Sequence, residues 1–160
     1  MHFTAFDFLI NLTFSYISTV GFAITINVPH RIINWAGITG TLGWMVYWLA
    51  DLAGMGRMLS NMLGAFTVGM IGMLMARWQK CPITLFSVPG FVPLVPGLPS
   101  YQAVRYMLNG QYLQARASLM RVGIVTASIA LGFLLSTLFQ EAMTKYLHKV
   151  YLQTHKKNKK

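Results

Sequence analysis

Five stretches of the chain carry no Asp, Glu, Lys, Arg or His: Phe8 to Pro29, Ile32 to Ala50, Met58 to Ala76, Cys81 to Val104, and Val122 to Gln140. Each holds at least 19 residues, and a helix of about 20 residues rises roughly 30 Å, the thickness of a bilayer's hydrocarbon. Lipid offers no partners to a backbone, so runs of this length restrict the fold to helices that satisfy their own hydrogen bonds. Composition agrees, with 55% of the 160 residues hydrophobic and only 10% charged. The expected fold is an all-α integral membrane protein, a bundle of about five transmembrane segments. These span about 5–27, 33–50, 58–76, 82–104 and 119–140 within a transmembrane domain over 1–140, followed by a basic cytosolic tail over 141–160.

The first run differs from a secretory signal. It opens MHFTAFDF, with an acid and no basic leader, and is too long for an apolar signal core, so it reads as a retained span. The second and third runs are rich in small residues, Gly37, Gly40 and Gly43 in one and Gly64, Gly69 and Gly72 in the other. Such strips let helix backbones approach closely. Trp35, Trp44, Trp48 and Trp78 lie mostly toward span ends and fit an interfacial belt.

Orientation follows from the cations. With five spans, Arg31, Arg77, Lys80 and the tail put nine of the thirteen Lys and Arg on one side, leaving Arg57, Arg105, Arg116 and Arg121 opposite. If the fourth run instead dips in and returns, the split is six against seven. The five-span arrangement, amino terminus outside and tail in the cytosol, obeys the positive-inside tendency better. The stretch YQAVRYMLNGQYLQARASLMR mixes arginines with apolar residues and predicts an interfacial amphipathic helix over about 101–118, with a break at Asn109-Gly110. The lysine-rich tail reads as a topology anchor at anionic headgroups. A net charge of +10 also fits nucleic acid, but here the charges are spread over the loops of a bundle, so no nucleic-acid partner is expected.

Catalytic signatures are missing. No HExxH, GxSxG or CxxC motif occurs, the four histidines are scattered, and a single cysteine allows no internal disulfide. Neither an enzyme, nor a metal site, nor a cofactor is expected. Asp7 and Asp51 are candidate proton carriers, because a partly desolvated carboxylate can titrate near neutral pH; ordinary span-end acids are the plainer reading.

The fourth run contains FSVPGFVPLVPGLPSY, Phe86 to Tyr101. Pro89, Pro93 and Pro96 cannot sit in a regular helix without freeing carbonyls. Broken backbone at membrane depth is tolerated where it is buried in protein or lines a polar cavity, and transporters often build their sites from it. The expected substrate path therefore comprises Pro89, Gly90, Pro93, Pro96 and Gly97, helped by the polar Asn27, Thr39 and Tyr101. Arg31, Arg77 and Lys80 form a basic cytosolic mouth that would concentrate anionic solutes.

The order VGFAITINVPHRIINWAGITGTLGW, then MARWQKCPITLF, then VPGFVPLVPGLPSYQA, covering about Thr19 to Met107, resembles the small membrane subunit of two-component threonine/serine exporter (ThrE-type) transporters, a group that includes bacterial succinate exporters. The resemblance implies a multi-pass protein of the bacterial inner membrane that exports small metabolites such as an amino acid or a dicarboxylate, coupled to protons. It also implies a partner, a larger exporter subunit with a cytoplasmic amino-terminal region, alongside the lipid bilayer and a small-molecule substrate. The rival expectation is a structural or assembly subunit that stabilises a partner whose own spans form the pathway.

Overall fold

A computed structural model describes residues 5–157, with side chains from 6 to 145. The tail lysines beyond Lys145 have side chains outside the described residues. The elements are α1 (Ala5–Thr25), α2 (His30–Leu52), α3 (Arg57–Gln79), α4 (Thr84–Gly90), a 3-10 turn (Val92–Leu94), α5 (Gly97–Leu108) and α6 (Tyr112–Lys157). No strand occurs among them, and the protein is an all-α membrane protein. Three helices are long and apolar enough to cross a bilayer: α1 from Phe6, α3, and α6 as far as Lys145. Helix α2 equals α3 in length, but its glycines, threonines and tryptophans lower its apolarity. Ten of its residues are buried, as suits the helix at the centre.

Four helix ends close in the same way. At the end of α1, Asn27 adopts left-handed backbone (φ 57°), its N–H donates to Ile24 O (3.0 Å), and Val28 N–H donates to Ala23 O (3.0 Å). This is the Schellman arrangement, which satisfies carbonyls a helix end leaves orphaned; its usual apolar contact is supplied by Ala23 and Val28, both buried in one core cluster. Asn27 therefore shapes the turn. It caps nothing: Pro29 occupies the N-cap of α2, with no side-chain cap bond. Lys80 (φ 53°) ends α3 likewise, and Gly54 and Gly110 (φ 76° and 71°) end α2 and α5.

Packing gives each helix a direction. Phe8 meets Trp48, and Asn11 bonds Trp44 while Gly37 faces Tyr16 and Val20, so α1 and α2 are antiparallel. Gly43 faces Gly64 and Val68 while Trp35 meets Trp78 edge-on at 4.6 Å, so α2 and α3 are antiparallel too. Along α6, Gly132 lies on Met62 and Ala65, Ser136 on Gly69, and Thr144 on Arg77. Helices α3 and α6 thus run parallel. Packed against α1, α2 and α3, the Pro/Gly segment runs antiparallel to α3, with Ile83 and Ser87 at Gly72, Gly90 at Val68, and Leu94 at Gly64. Its two ends lie toward opposite ends of α3, Ile83 near Gly72 and the Pro93–Pro99 stretch near Arg57.

Two features differ from the sequence expectation. The surface helix expected over 101–118 breaks at the expected Asn109-Gly110, but its halves belong to different elements: residues to Leu108 close α5, residues from Tyr112 open α6, and the two pack as a helical hairpin about the turn at Gly110. Helix α6 also continues without interruption for 46 residues, about 69 Å at 1.5 Å per residue, which is more than twice the hydrocarbon thickness. Single cysteines replacing Gly110 and Lys145, in a Cys81→Ser background, are expected to react with a membrane-impermeant maleimide from opposite faces of the membrane. Labelling of both from one face would refute a crossing by the Pro/Gly segment.

Candidate functional site

The Pro/Gly segment settles its backbone by local turns. Pro89 removes the N–H that would reach the Leu85 carbonyl, and α4 stops one residue later. Phe91 N–H still donates to Ser87 O (3.0 Å), and Leu94 N–H to Phe91 O (2.9 Å) in the 3-10 turn. Gly97 N–H then donates to Val95 O (2.8 Å) across Pro96, whose φ of −76° and ψ of 59° are those of an inverse γ-turn. Helix α5 restarts with Ser100, whose N–H and hydroxyl both donate to Pro96 O (3.2 and 2.7 Å).

Just where the chain is least regular, it faces a cavity of about 320 Å³. One wall is the segment from Pro93 to Pro99; the other carries Trp44, Tyr47 and Asp51 of α2 and Arg57 and Asn61 of α3, and Val125 of α6 also lines it. A carboxylate, a guanidinium, a phenol and an amide thus meet in one space at one end of the bundle. Asn61 is held in place, its Nδ2 donating to Arg57 O at 2.6 Å. Behind Trp44 and Pro93 lies a second cavity of about 250 Å³, lined on α1 by Asn11, Ser15 and Ser18. The Trp44 indole N–H donates to Asn11 Oδ1 (3.0 Å), and Asn11 Nδ2 donates to the Asp7 carbonyl (2.9 Å), so the wall shared by the two cavities is pinned.

Toward the middle of the bundle the space closes. Phe86, Val68, Thr39 and Pro89 are fully buried, and a Cβ on Gly90 would stand 2.8 Å from Val68 Cγ1 and 3.5 Å from Thr39 Cγ2. Thr39 turns its hydroxyl back onto its own helix, donating to Trp35 O (2.9 Å). Beyond this layer, at the Arg77 end, opens the largest of these cavities, about 520 Å³ between α3, α6 and the start of α4.

The residues expected to form the path therefore separate into groups. Pro93, Pro96, Gly97 and Asp51 line the first cavity. Pro89, Gly90 and Thr39 form the closed layer. Asn27 is exposed in the α1–α2 turn and Tyr101 is exposed on α5, and neither lines the cavities described here. Asp7 is exposed near the start of α1. Of the basic mouth only Arg77 lines the inner cavity; Arg31 is exposed at the start of α2, and Lys80 serves the end of α3. Lys145 of α6 joins Arg77 instead.

Sequence reasoning did not single out Asn11, Trp44, Tyr47 or Asn61. Asn11 and Asn61 carried a usable signal, since amides inside apolar spans usually face a bundle's interior. Trp44 was assigned to an interfacial belt, but the structure makes it a half-buried partition bonded to Asn11.

A sequence profile described as threonine/serine exporter, ThrE, matches residues 11–139. No solved structure matches the chain.

The structure also separates two glycines that the sequence treats alike. Gly90 has no room for a side chain, whereas nothing lies within 4 Å of a Cβ at Gly97. Overpacking of a close contact costs about 1–3 kcal/mol or more. Gly90→Leu is expected to lower the thermal midpoint of the purified protein by several degrees, and Gly97→Leu to leave it within a degree or so of wild type. Equal midpoints for all three proteins would show that the closed layer is not tightly packed.

Proposed function

The chain belongs to the threonine/serine exporter family, ThrE, and we propose that it is the small subunit of a two-component exporter of small metabolites in the bacterial inner membrane. Membrane transport is what the family does; the division of labour, the path and the coupling are our reading. The observation that carries it is the cavity where the broken backbone from Pro93 to Pro99 faces Asp51, Arg57, Tyr47 and Asn61. Opposite charges that line a cavity at the end of a bundle raise the local concentration of charged solutes there. Irregular backbone beside them completes the arrangement found in transporter sites.

On this reading the cavity is the outward-facing part of the path, and the layer of Thr39, Val68, Phe86, Pro89 and Gly90 is the closed gate. Export needs that layer to open, through rocking of this subunit against the larger one with its cytoplasmic amino-terminal region. Asp51, exposed in the cavity beside Arg57, is the better placed of the two candidate proton carriers. Asp7 lines neither outer cavity. One carboxylate and one guanidinium match a zwitterionic amino acid more closely than a dicarboxylate such as succinate.

Efflux of labelled threonine and labelled succinate from preloaded cells lacking their own exporters tests the assignment. With this chain alone, the larger subunit alone, and both, efflux is expected only with both. Efflux with the larger subunit alone would make this chain a structural or assembly subunit. In the working pair, Gly97→Leu should reduce efflux at least about tenfold at unchanged membrane levels by filling the cavity. Asp51→Asn should flatten the dependence of efflux on external pH, and a profile unchanged from wild type would remove Asp51 from the proton path.

A further inference from the structure

The inner cavity has no part in the outer path, yet its lining carries more charged groups, Arg77, Glu141 and Lys145 against Asp51 and Arg57. Arg77 of α3 and Glu141, Thr144 and Lys145 of α6 ring its opening, with Gln140 and Thr137 also in its lining and Met73 and Ile83 as apolar wall. These side chains are not loosely disposed. Arg77 Nη2 donates to Thr144 Oγ1 at 2.6 Å, Thr144 Oγ1 donates to Gln140 O at 2.8 Å, and Gln140 Nε2 donates to Gly69 O at 3.0 Å. That chain of bonds spans α3 and α6 and holds the guanidinium at the cavity's edge.

A further observation points inward from this cavity. Among the described residues, Ser87 Oγ is the buried side-chain polar atom without a hydrogen-bond partner, in a residue only 4% exposed. Ser87 follows Ile83 by one helical turn, and both lie against Gly72, next to Met73. An unpaired buried hydroxyl is costly and calls for a partner. Here it lies one helical turn beyond Ile83, which lines the cavity, and two residues before Pro89 of the closed layer.

Resting on the transport reading above, we infer that the Arg77 end holds a second, inner binding site for a zwitterionic α-amino acid, with Glu141 as the residue that selects it over a dicarboxylate. Arg77 and Lys145 offer two cations to one carboxylate, by charge-assisted hydrogen bonds. Glu141 offers an anion to the α-ammonium, and the hydroxyls and amide of Thr137, Thr144 and Gln140 suit a small polar side chain. A dicarboxylate would meet the same two cations but set its second carboxylate against Glu141. Discrimination of this kind comes from the repulsive group as much as from the attractive ones. Ser87 supplies the next polar contact once the ligand moves inward past Met73 and Ile83.

The experiment measures binding of labelled threonine and labelled succinate to the full chain together with the larger subunit in nanodiscs, with efflux by the same pair measured in cells. Threonine is expected to bind better than succinate. Loss of one charged contact is worth about tenfold in affinity, so Glu141→Gln should weaken threonine about tenfold and weaken succinate little or not at all, while Arg77→Gln weakens both. Ser87→Ala loses no existing hydrogen bond; it should leave binding intact and slow efflux. An unchanged threonine-to-succinate ratio in Glu141→Gln overturns the inference, as does threonine binding that Gly97→Leu abolishes and Arg77→Gln does not. Competition by phosphatidylethanolamine and not by phosphatidylglycerol, with no threonine binding in either lipid, would assign the cavity to a lipid headgroup and overturn it as well. Selective binding without efflux would sink the transport reading alone, and efflux without selective binding would sink the inner site alone.

Discussion

Backbone polar groups that lipid cannot satisfy govern the whole arrangement. A segment with prolines at 89, 93 and 96 is poorly suited to hydrocarbon, because each of them withholds a donor and interrupts regular helix. It has to be wrapped in protein, and α1, α2 and α3 provide the wrapping around α4 and the 3-10 turn. The wrapping works only if backbones come very close. Gly64 would bring a Cβ within 3.0 Å of Gly43 O and 3.1 Å of Leu94 Cδ2, and side chains at Gly43 or Gly132 would overlap Val68 or the Met62 carbonyl. The small-residue faces of α2 and α3 and the broken segment are thus one device. Removing either would leave the other without a reason.

The same device divides the molecule. Where the segment is helical, in α4, it packs fully and Phe86, Pro89 and Gly90 seal the centre. Where it unwinds, from Pro93 onward, it leaves room for a cavity with a carboxylate and a guanidinium. On the other side of the seal, α3 and α6 border a larger space with charges of both signs. On the proposed transport reading, Val68, Thr39 and Gly90 would be the contacts that a cycle has to break.

The charge-free runs were enough to derive the membrane class and the helical architecture, because hydrocarbon thickness and hydrogen-bond satisfaction are constraints on length and composition alone. The proline positions located the broken segment for the same reason. Local chemistry was less readable where one residue type serves two purposes. Asn27 and Lys80 look like polar and basic site residues, but each occupies a left-handed helix end. Trp44 looks like a belt residue, and only the approach of Asn11 from another helix makes it a partition.

What the sequence by itself determined about this protein is that it lives in a membrane as helices, with one of them broken. The tertiary structure decided which polar residues meet. Asp51 and Arg57 join the Pro93–Pro99 turn, and Arg77 joins Glu141 and Lys145, only because α6 runs parallel to α3 and the broken segment runs antiparallel to α3. Those pairings span up to 68 positions in the chain, counting from Arg77 to Lys145. They depend on how helices pack at glycines, and no local propensity or spacing encodes that direction.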